Sequence, residues 1–490
     1  MSFALETASH PENLKRIAID PVSRVEGHGK VTILLDDNNH VHQVRLHIVE
    51  FRGFERFIQG RPYWEVPVVV QRLCGICPVS HHLAGSKALD WVVGAPQISP
   101  TAEKMRRLMH FGQVLQSHAV HFFHLASPDL LFGFDAEVGK RNILNVAAEY
   151  PDIARQGVLL RKYGQEVIRL TAGKKVHGIS SVPGGIHKSL NKEEIAFLKQ
   201  DIGQMIDWSV GAVELCKRLY YSNLPLYENF ARCESNLLSL VRPDGALELY
   251  DGLLRARDSK RKIIFDKVDN RDYHKVITEE VKSWSYMKFP HITALGREIG
   301  WYKVGPLARV QNCDFIDTPL AEEMRQQFMD TAKPVNHATL AYHWARMIEV
   351  VHCAEKIRDM LDDPDLQGND LLRQGKRASE GIGIIEAPRG TLFHHYHVGD
   401  DDLVTMCNLI VSTTSNNQPM NEAIRSVARE YLDGERVTEG LLNHIEVAIR
   451  AYDPCLSCAT HALGQMPLQV ELVNTDGTVI DTRTRGADFI

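Results

Sequence analysis

Arg72-Leu73-Cys74-Gly75-Ile76-Cys77-Pro78-Val79-Ser80-His81 lies near the start of this 490-residue chain, and Asp453-Pro454-Cys455-Leu456-Ser457-Cys458-Ala459-Thr460-His461 lies near its end. Each stretch holds a Cys-x-x-Cys pair. A two-residue gap lets both sulfurs of a pair turn to one centre, so the four thiols can supply a complete tetrahedral sulfur site. The 377 residues between Cys77 and Cys455 far exceed the roughly 12–20 that separate the halves of a small zinc module. A site that joins the two ends of a large fold sits deep inside it. Each pair is followed by a histidine, His81 or His461, and preceded by an ion-forming residue two positions before its first cysteine, Arg72 or Asp453. Four cysteines alone suggest a closed structural zinc site, which has no use for such neighbours. A reactive metal does, because outer groups tune its charge and move protons.

The rest of the chain is ordinary by composition, at 44% hydrophobic and 24% charged, enough to bury a sizeable core. With 56 basic against 62 acidic residues and a net charge of −6, there is no electrostatic case for a nucleic-acid partner or an anionic membrane. The other five of the nine cysteines, Cys216, Cys233, Cys313, Cys353 and Cys407, are scattered singly. That reads as buried free thiols in a reducing compartment rather than a disulfide scaffold. The start, Met1-Ser2-Phe3-Ala4-Leu5-Glu6, lacks the basic and apolar regions of a signal peptide. No stretch approaches the roughly 18–20 apolar residues needed to span a bilayer. The expectation is a cytoplasmic protein without membrane insertion.

Outward from the cysteines, hydrophobic spacing predicts an α+β chain with a predominantly helical core and small β lobes. Val31, Ile33 and Leu35 alternate, as do Val44, Leu46 and Ile48 after the turn Asp36–His40, which predicts a hairpin. A long helix is expected from Ser99-Pro100, where serine caps and proline suits the first helical position. Met105, Leu108, Met109, Leu115, Ala119, Phe122 and Phe123 follow at helical spacing. Ile195 to Val213 and Leu340 to Leu361 repeat the pattern, the second expected to be the longest helix, and Leu441–Tyr452 leads into the second cysteine pair. The charged segments 255–285 and 358–380 are expected to be exposed loops or helix faces. No linker marks a domain cut, so one intertwined unit is expected.

The two cysteine segments resemble, position by position, the nickel-binding motifs of the [NiFe]-hydrogenase large subunit. The resemblance extends over essentially the whole chain and includes Tyr302-Lys303-Val304-Gly305-Pro306-Leu307-Ala308-Arg309. It implies a nickel–iron centre held by Cys74, Cys77, Cys455 and Cys458, with Cys77 and Cys458 bridging to an iron that carries cyanide and carbon monoxide. Cys455, a terminal thiolate, is the expected first proton acceptor. Glu26, in Arg24-Val25-Glu26-Gly27-His28, would pass protons between that thiolate and the exterior; residue type alone makes it a surface carboxylate at a strand end. Glu55, the carbonyl of Leu409 and His461 would hold magnesium, and Arg389, in Glu386-Ala387-Pro388-Arg389-Gly390, would hang over the open face between the metals. His81 is expected to orient a bridging sulfur, Cys458, and Arg72 and Asp453 to act from further out.

Two departures accompany the resemblance. Gln116-Ser117-His118 stands where periplasmic members carry an aspartate, and Ser412-Thr413 stands where many have a proline contacting an iron cyanide. Together with the missing export signal, these look most like the cytoplasmic NAD-linked bidirectional branch. No Gly-x-Gly-x-x-Gly lies between a strand and a helix, and no cysteines remain for iron–sulfur clusters. Electrons are therefore expected to leave through an iron–sulfur small subunit to NAD-reducing diaphorase subunits. The resemblance further implies maturation factors and a C-terminal endopeptidase cutting His461-Ala462, so residues 462–490 would be a removable extension. Leu468, Val470 and Leu472 alternate before Asn474-Thr475-Asp476-Gly477 and Val479-Ile480, which predicts a hairpin. That hairpin is expected to hold Cys455 and Cys458 away from Cys74 and Cys77. Two other classes remain open at this point: a structural subunit of a respiratory-type electron-transfer complex, and a zinc-stabilised interaction protein.

Overall fold

A computed structural model describes residues 5–50 and 53–460, and the backbone of two strands, Leu468–Val473 and Val479–Arg485. The chain opens with an antiparallel sheet of β1 (Lys15–Ile19), β2 (Gly29–Leu35) and β3 (Val41–Ile48). Val31, Ile33, Val44 and Leu46 are fully buried on it, as their alternation predicts. Helix α1 (Pro78–Val92) starts directly from Cys77. Helix α2 (Pro100–Val120) begins where expected, with the Ser99 hydroxyl accepting from the amide of Ala102 and Pro100 in the first turn, which satisfies an otherwise orphaned helix donor. A π-helical segment, His121–Ala126, continues it.

Helices α3 (Pro151–Ala172) and α4 (Lys192–Ser222) complete the first half. At 31 residues α4 is the longest helix described, not the segment ending at Leu361. Its start is fixed by a reciprocal cap between Asn191 and Glu194. A β lobe follows: β4 (Asn236–Val241), β5 (Leu253–Arg257) and β6 (Ile263–Val268), with the short strand Tyr302–Lys303 parallel to β4. The charged segment 255–285 therefore contains strands, including Ile277–Glu280 paired with Phe289–Ile292, and is not simply loop or helix face. Within it Arg255 and Arg257 flank Ala256, which is fully buried.

Short α5 (Pro306–Asn312) and the buried α6 (Ala341–Met360) lead to a second lobe, an antiparallel sheet of β7 (Glu380–Ala387), β8 (Gly390–Val398) and β9 (Val404–Ile410). Helices α7 (Asn417–Val427) and α8 (Glu439–Ala451) return the chain to the centre. In the tail, β10 (Leu468–Val473) pairs antiparallel with β11 (Val479–Arg485). The predicted hairpin strands are present, and the turn between them lies outside the described residues.

The result is α+β with a helical core. α2 packs along α3 and α6, α6 along α4, and α1 lies across β7 and β8. One continuous apolar core takes in all four motif cysteines, and a smaller one lies beneath the β lobes. Among the described residues no helix is long and apolar enough to cross a membrane.

Candidate metal centre

The first cysteine pair is held by the helix that follows it. Cys74 is extended after the turn Val70–Leu73, and Cys77 is the residue from which α1 springs, with Pro78 in its first turn. The loop between them is pinned by two amides of α2: Gln113 and Gln116 both donate to the Ile76 carbonyl, at 2.9 and 2.8 Å. The Cys74 sulfur accepts the backbone N–H groups of Ile76 and Cys77 at 3.1 and 3.2 Å. Burial opposes ionisation of Cys74, but hydrogen bonds from the neighbouring thiols and the charge of Arg389 outweigh it and hold its pKa well below the ordinary thiol value. Burial instead pushes Cys455 and Cys458 well above that value. One thiolate among several thiols is what repulsion between like charges dictates.

The second pair follows α8. Asp453 turns the chain with φ 55°, and Cys455 then lies beside the N-terminal segment, bridging to Glu26 in parallel. The amide of Leu456 donates to the Glu26 carbonyl at 3.0 Å, and the amide of Cys455 donates to the Thr413 hydroxyl at 2.9 Å. Gly27 is required here: its φ is +84°, and a Cβ on it would lie 2.6 Å from the amide nitrogen of Ser457. The two ends of the sequence are thus sewn together at the second cysteine pair.

All four sulfurs are buried and lie within 4.8 Å of one another. Cys77 stands 3.9 Å from Cys455 and 3.8 Å from Cys458, close to the roughly 3.8 Å edge of a tetrahedron with metal–sulfur bonds of about 2.3 Å. Cys455 lies 3.2 Å from Cys74 and 2.7 Å from Cys458. The expectation that the tail holds the second pair apart is therefore wrong: the pairs meet in the full-length chain, because Glu26 and Thr413 fix the backbone of Cys455.

Glu26 is half-buried, and its Oε2 lies 3.0 Å from the Cys455 sulfur and accepts the amide of Ser457 at 3.1 Å. Burial, then the Cys74 charge, raises its pKa. Arg389 occupies the tight turn between β7 and β8. It donates from Nε to the Asp453 carbonyl at 2.6 Å and from Nη2 to Asp453 Oδ1 at 3.0 Å, and its Nη1 is 3.5 Å from the Ser117 hydroxyl. Burial pushes Asp453 up to about 6 even with Arg389 beside it. A small cavity is bounded by Cys77, His81, Pro388, Arg389, Ser412 and Cys455. It leaves room for only a very small molecule beside the Cys77 and Cys455 side chains and the Arg389 guanidinium.

Three expected neighbours make hydrogen bonds to groups other than the sulfurs. Arg72 is exposed and bonds His177 Nδ1 at 2.8 Å, and the other ring nitrogen of His177 meets the Cys74 carbonyl at 3.3 Å. It thus reaches the site through backbone, not sulfur. The His81 ring pairs with His394 at 3.1 Å, and not with Cys458, whose sulfur faces the Leu73 carbonyl at 3.6 Å. Burial holds His81 near 4. The Ser412 hydroxyl donates to the Gly390 carbonyl at 2.6 Å, so its single proton is committed to the β7–β8 turn. It is Thr413 that touches a cysteine.

Glu55, on the short helix Phe54–Ile58, accepts the amide of Leu409 at 2.9 Å. β9 is an edge strand, and a residue whose N–H turns away from its antiparallel partner turns its carbonyl away too. Glu55 and the Leu409 carbonyl therefore face one side. The Lys288 ammonium stands beside them, 3.1 Å from Glu55, 3.2 Å from Glu279 and 3.1 Å from Asn408. Burial raises the Glu55 pKa, and Lys288 opposes it. His461 lies outside the described residues.

Sequence reasoning assigned no role to Arg309, Glu349, Glu386 or Ser117. Arg309 donates to Glu349 at 2.6 Å, to Glu386 at 2.8 Å, and to the carbonyls of Ala387 and Pro388 at 2.8 and 3.1 Å. It braces the turn that carries Arg389. His118 completes the chain at 2.9 Å from Glu349. The signal was an arginine at the end of an otherwise apolar stretch, Val304 to Arg309.

Comparison with known proteins agrees with this geometry. The chain matches the family described as nickel-dependent hydrogenase over residues 52–136 and 249–461, and a HoxL-like family over residues 16–51. It is 47% identical to the β subunit of the NAD-reducing hydrogenase HoxS of Cupriavidus necator, over 96% of this chain and 100% of that one. It is 40% identical to one of the subunits of the F420-non-reducing hydrogenase of Methanothermobacter marburgensis, over 95% of this chain and 99% of that one. The crystal structure of an NAD+-reducing [NiFe]-hydrogenase in the H2-reduced state superposes with a TM-score of 0.90 at 57% identity, covering 91% of this chain and 99% of that one. The [NiFeSe]-hydrogenase of Dm. baculatum, at 22% identity and a TM-score of 0.74, shares the fold. Four buried thiols drawn from the two ends of the chain fit a nickel–iron centre, and the chain belongs to the nickel-dependent hydrogenase family as a large subunit.

Proposed function

We propose that this chain is the catalytic large subunit of a hydrogenase of the NAD-linked type, interconverting hydrogen with protons and electrons. What carries this is the 3.0 Å approach of Glu26 to the Cys455 sulfur, inside a buried cluster whose donor set suits a soft or borderline metal. When bound, the nickel–iron pair supplies the electron-rich acceptor that heterolytic cleavage of hydrogen needs. The chain's own residues do the rest. Cys74, Cys77, Cys455 and Cys458 would hold the nickel–iron pair, Cys74 and Cys455 as terminal ligands and Cys77 and Cys458 as the ligands shared with the iron, which would carry cyanide and carbon monoxide. The Cys455 sulfur takes the proton and hands it to Glu26 Oε2, a carboxyl poised by burial to accept and release it. Arg389, fixed through Asp453, keeps one positive charge over the cavity at any working pH.

The finer features of the same reading are these. Glu55, the Leu409 carbonyl and His461 hold a magnesium ion, with the Lys288 ammonium as the competing cation at the carboxylate. Electrons leave to an iron–sulfur partner and on to nicotinamide on diaphorase subunits, in the cytoplasm. Residues 1–461 act as one unit, and an endopeptidase removes residues 462–490 after maturation factors have loaded the metals. The family match that ends at residue 461 supports that boundary. The test is metal analysis with infrared spectroscopy of the chain purified with its partners, alongside hydrogen-dependent NAD+ reduction. Nickel, iron and bands of iron-bound cyanide and carbon monoxide are expected. Zinc alone would return the cysteines to a structural role, and no metal with no turnover would return the chain to a non-catalytic subunit.

A further inference from the structure

On the outer face of the second β lobe, His395 and His397 stand two residues apart on β8, so their rings share one side of the strand. β7 pairs Glu380 with His397 and places it beside both rings. Its Oε1 lies 2.8 Å from His395 Nε2 and 3.2 Å from His397 Nε2, and the two ring centroids are 5.2 Å apart. One carboxylate oxygen and two imidazole nitrogens therefore converge on one point from two rigid, hydrogen-bonded strands. Four-coordinate metal bonds of roughly 2.0–2.2 Å to nitrogen and oxygen put donor atoms about 3.3–3.5 Å apart. A widening of a few tenths of an ångström would admit an ion.

A second, independent feature sits behind the ligands. His395 Nδ1 meets the Tyr273 hydroxyl at 3.0 Å, which leaves Nε2 as the nitrogen aimed at Glu380. That hydroxyl accepts from the Asn408 amide at 3.2 Å, and the amide oxygen of Asn408 is held by Lys288 at 3.1 Å. Metal-binding histidines are characteristically oriented in this way, by a partner on the far ring nitrogen that fixes tautomer and ring plane. The His395 side chain is only 12% exposed while Glu380 and His397 are 55% and 47% exposed. One ligand is thus anchored and the open side faces solvent. Along β8, His395 and His397 lie six and eight residues from Arg389, roughly 20 and 26 Å at about 3.3 Å per residue, and the site shares no ligand with the cysteine cluster.

We propose that Glu380, His395 and His397 form a second metal site, for a borderline divalent transition ion of the zinc, nickel or copper(II) class, with Tyr273 orienting His395. Two imidazoles with one carboxylate suit these ions, whereas magnesium and calcium call for oxygen-rich sets. The experiment is zinc binding to the assembled, metal-loaded enzyme by equilibrium dialysis, with copper(II) electron paramagnetic resonance as the second readout. The parent is expected to bind one zinc more per large subunit than His395→Ala/His397→Ala, and copper at the site to show nitrogen couplings that the double variant lacks. Glu380→Gln and His397→Gln keep side-chain size and are expected to weaken zinc at least tenfold. Tyr273→Phe should weaken it about tenfold, the lower end for loss of an orienting partner. Nickel, iron and hydrogen turnover are expected to stay at parental levels in each variant. Equal zinc stoichiometry and affinity in the parent, the double variant and His397→Gln would overturn the site.

Discussion

Cys455 is held from three directions: its amide by Thr413, its strand-like backbone by Glu26, and its sulfur among three others. Serine at this position would keep the backbone contacts and lose the soft donor, since an alcohol binds such metals poorly and ionises far less readily. Cys455→Ser is expected to abolish hydrogen turnover while circular dichroism stays helical. Exchange of hydrogen with deuterium within tenfold of the parent would remove Cys455 from the ligand set. Glu26→Gln separates binding from proton movement, because the amide keeps the shape and can still accept from Ser457 but cannot titrate. Metals should stay at parental occupancy while isotope exchange with solvent falls roughly 100-fold or more, the usual scale for a positioned acid–base group. Parental exchange with intact metals would take Glu26 off the proton path. The four cysteines were legible in the sequence because their motifs are local and ordered, and the structure brings Glu26 and Arg389 beside them. The partner of His81 was not legible, because His394 comes from the β7–β8 hairpin, and neither was the Gly390 carbonyl that takes the Ser412 hydroxyl. Spacing within a motif cannot tell which distant strand will compete for a polar group.

At the scale of elements, legibility followed the strength of the local signal. The β2–β3 hairpin and the start of α2 were readable from alternation and from a cap, and α8 from its apolar stripe. Small β lobes were expected from the sequence, but the strands within 255–285 were not placed, because Lys, Arg and Asp crowd that segment and Ile263–Val268 has no fully buried residue. α3 meets α2 where a pair of glycines sets the distance. Gly164 faces Gly112, and a Cβ on Gly164 would lie 2.7 Å from the Gly112 carbonyl oxygen and 2.7 Å from Gln116 Cβ. Backbone cannot yield as a side chain can, so Gly164→Val should destabilise by about 1–3 kcal/mol. It should also disturb Gln116, one of the two amides that pin the Ile76 carbonyl. The matching control is Gly203→Ala in α4, where a Cβ meets nothing within 4 Å, and a gain of roughly 0.5–1 kcal/mol is expected from helix propensity. Thermal or denaturant unfolding reads both. A Gly164→Val protein as stable as the parent would mean that α2 and α3 can separate at no cost, contrary to the packing.

At the scale of the whole molecule, one centre closes the chain on itself. The segment that begins at Glu26 and the segment that ends at Thr460 pair backbone to backbone, and both cysteine pairs are buried where they meet. This convergence exists with the residues after His461 still attached, so assembly of the four sulfurs does not wait for their removal. Cys458, Ala459 and Thr460 are fully buried, and 30 residues follow Thr460 in the sequence. On the proposed reading, the residues after His461 keep it, while they are attached, from serving on the Glu55 side. Loading should thus precede cutting and activity should follow it. In preparations separated by mass, the uncut chain is expected to hold nickel at half occupancy or more, yet to exchange hydrogen isotopes at under about one hundredth of the rate of the chain ending at His461, a loss of about 2.7 kcal/mol in barrier terms. Parental exchange by the intact 490-residue chain would show that the tail gates nothing, and an uncut chain without nickel would show that gathering four sulfurs is not enough to take the metal up.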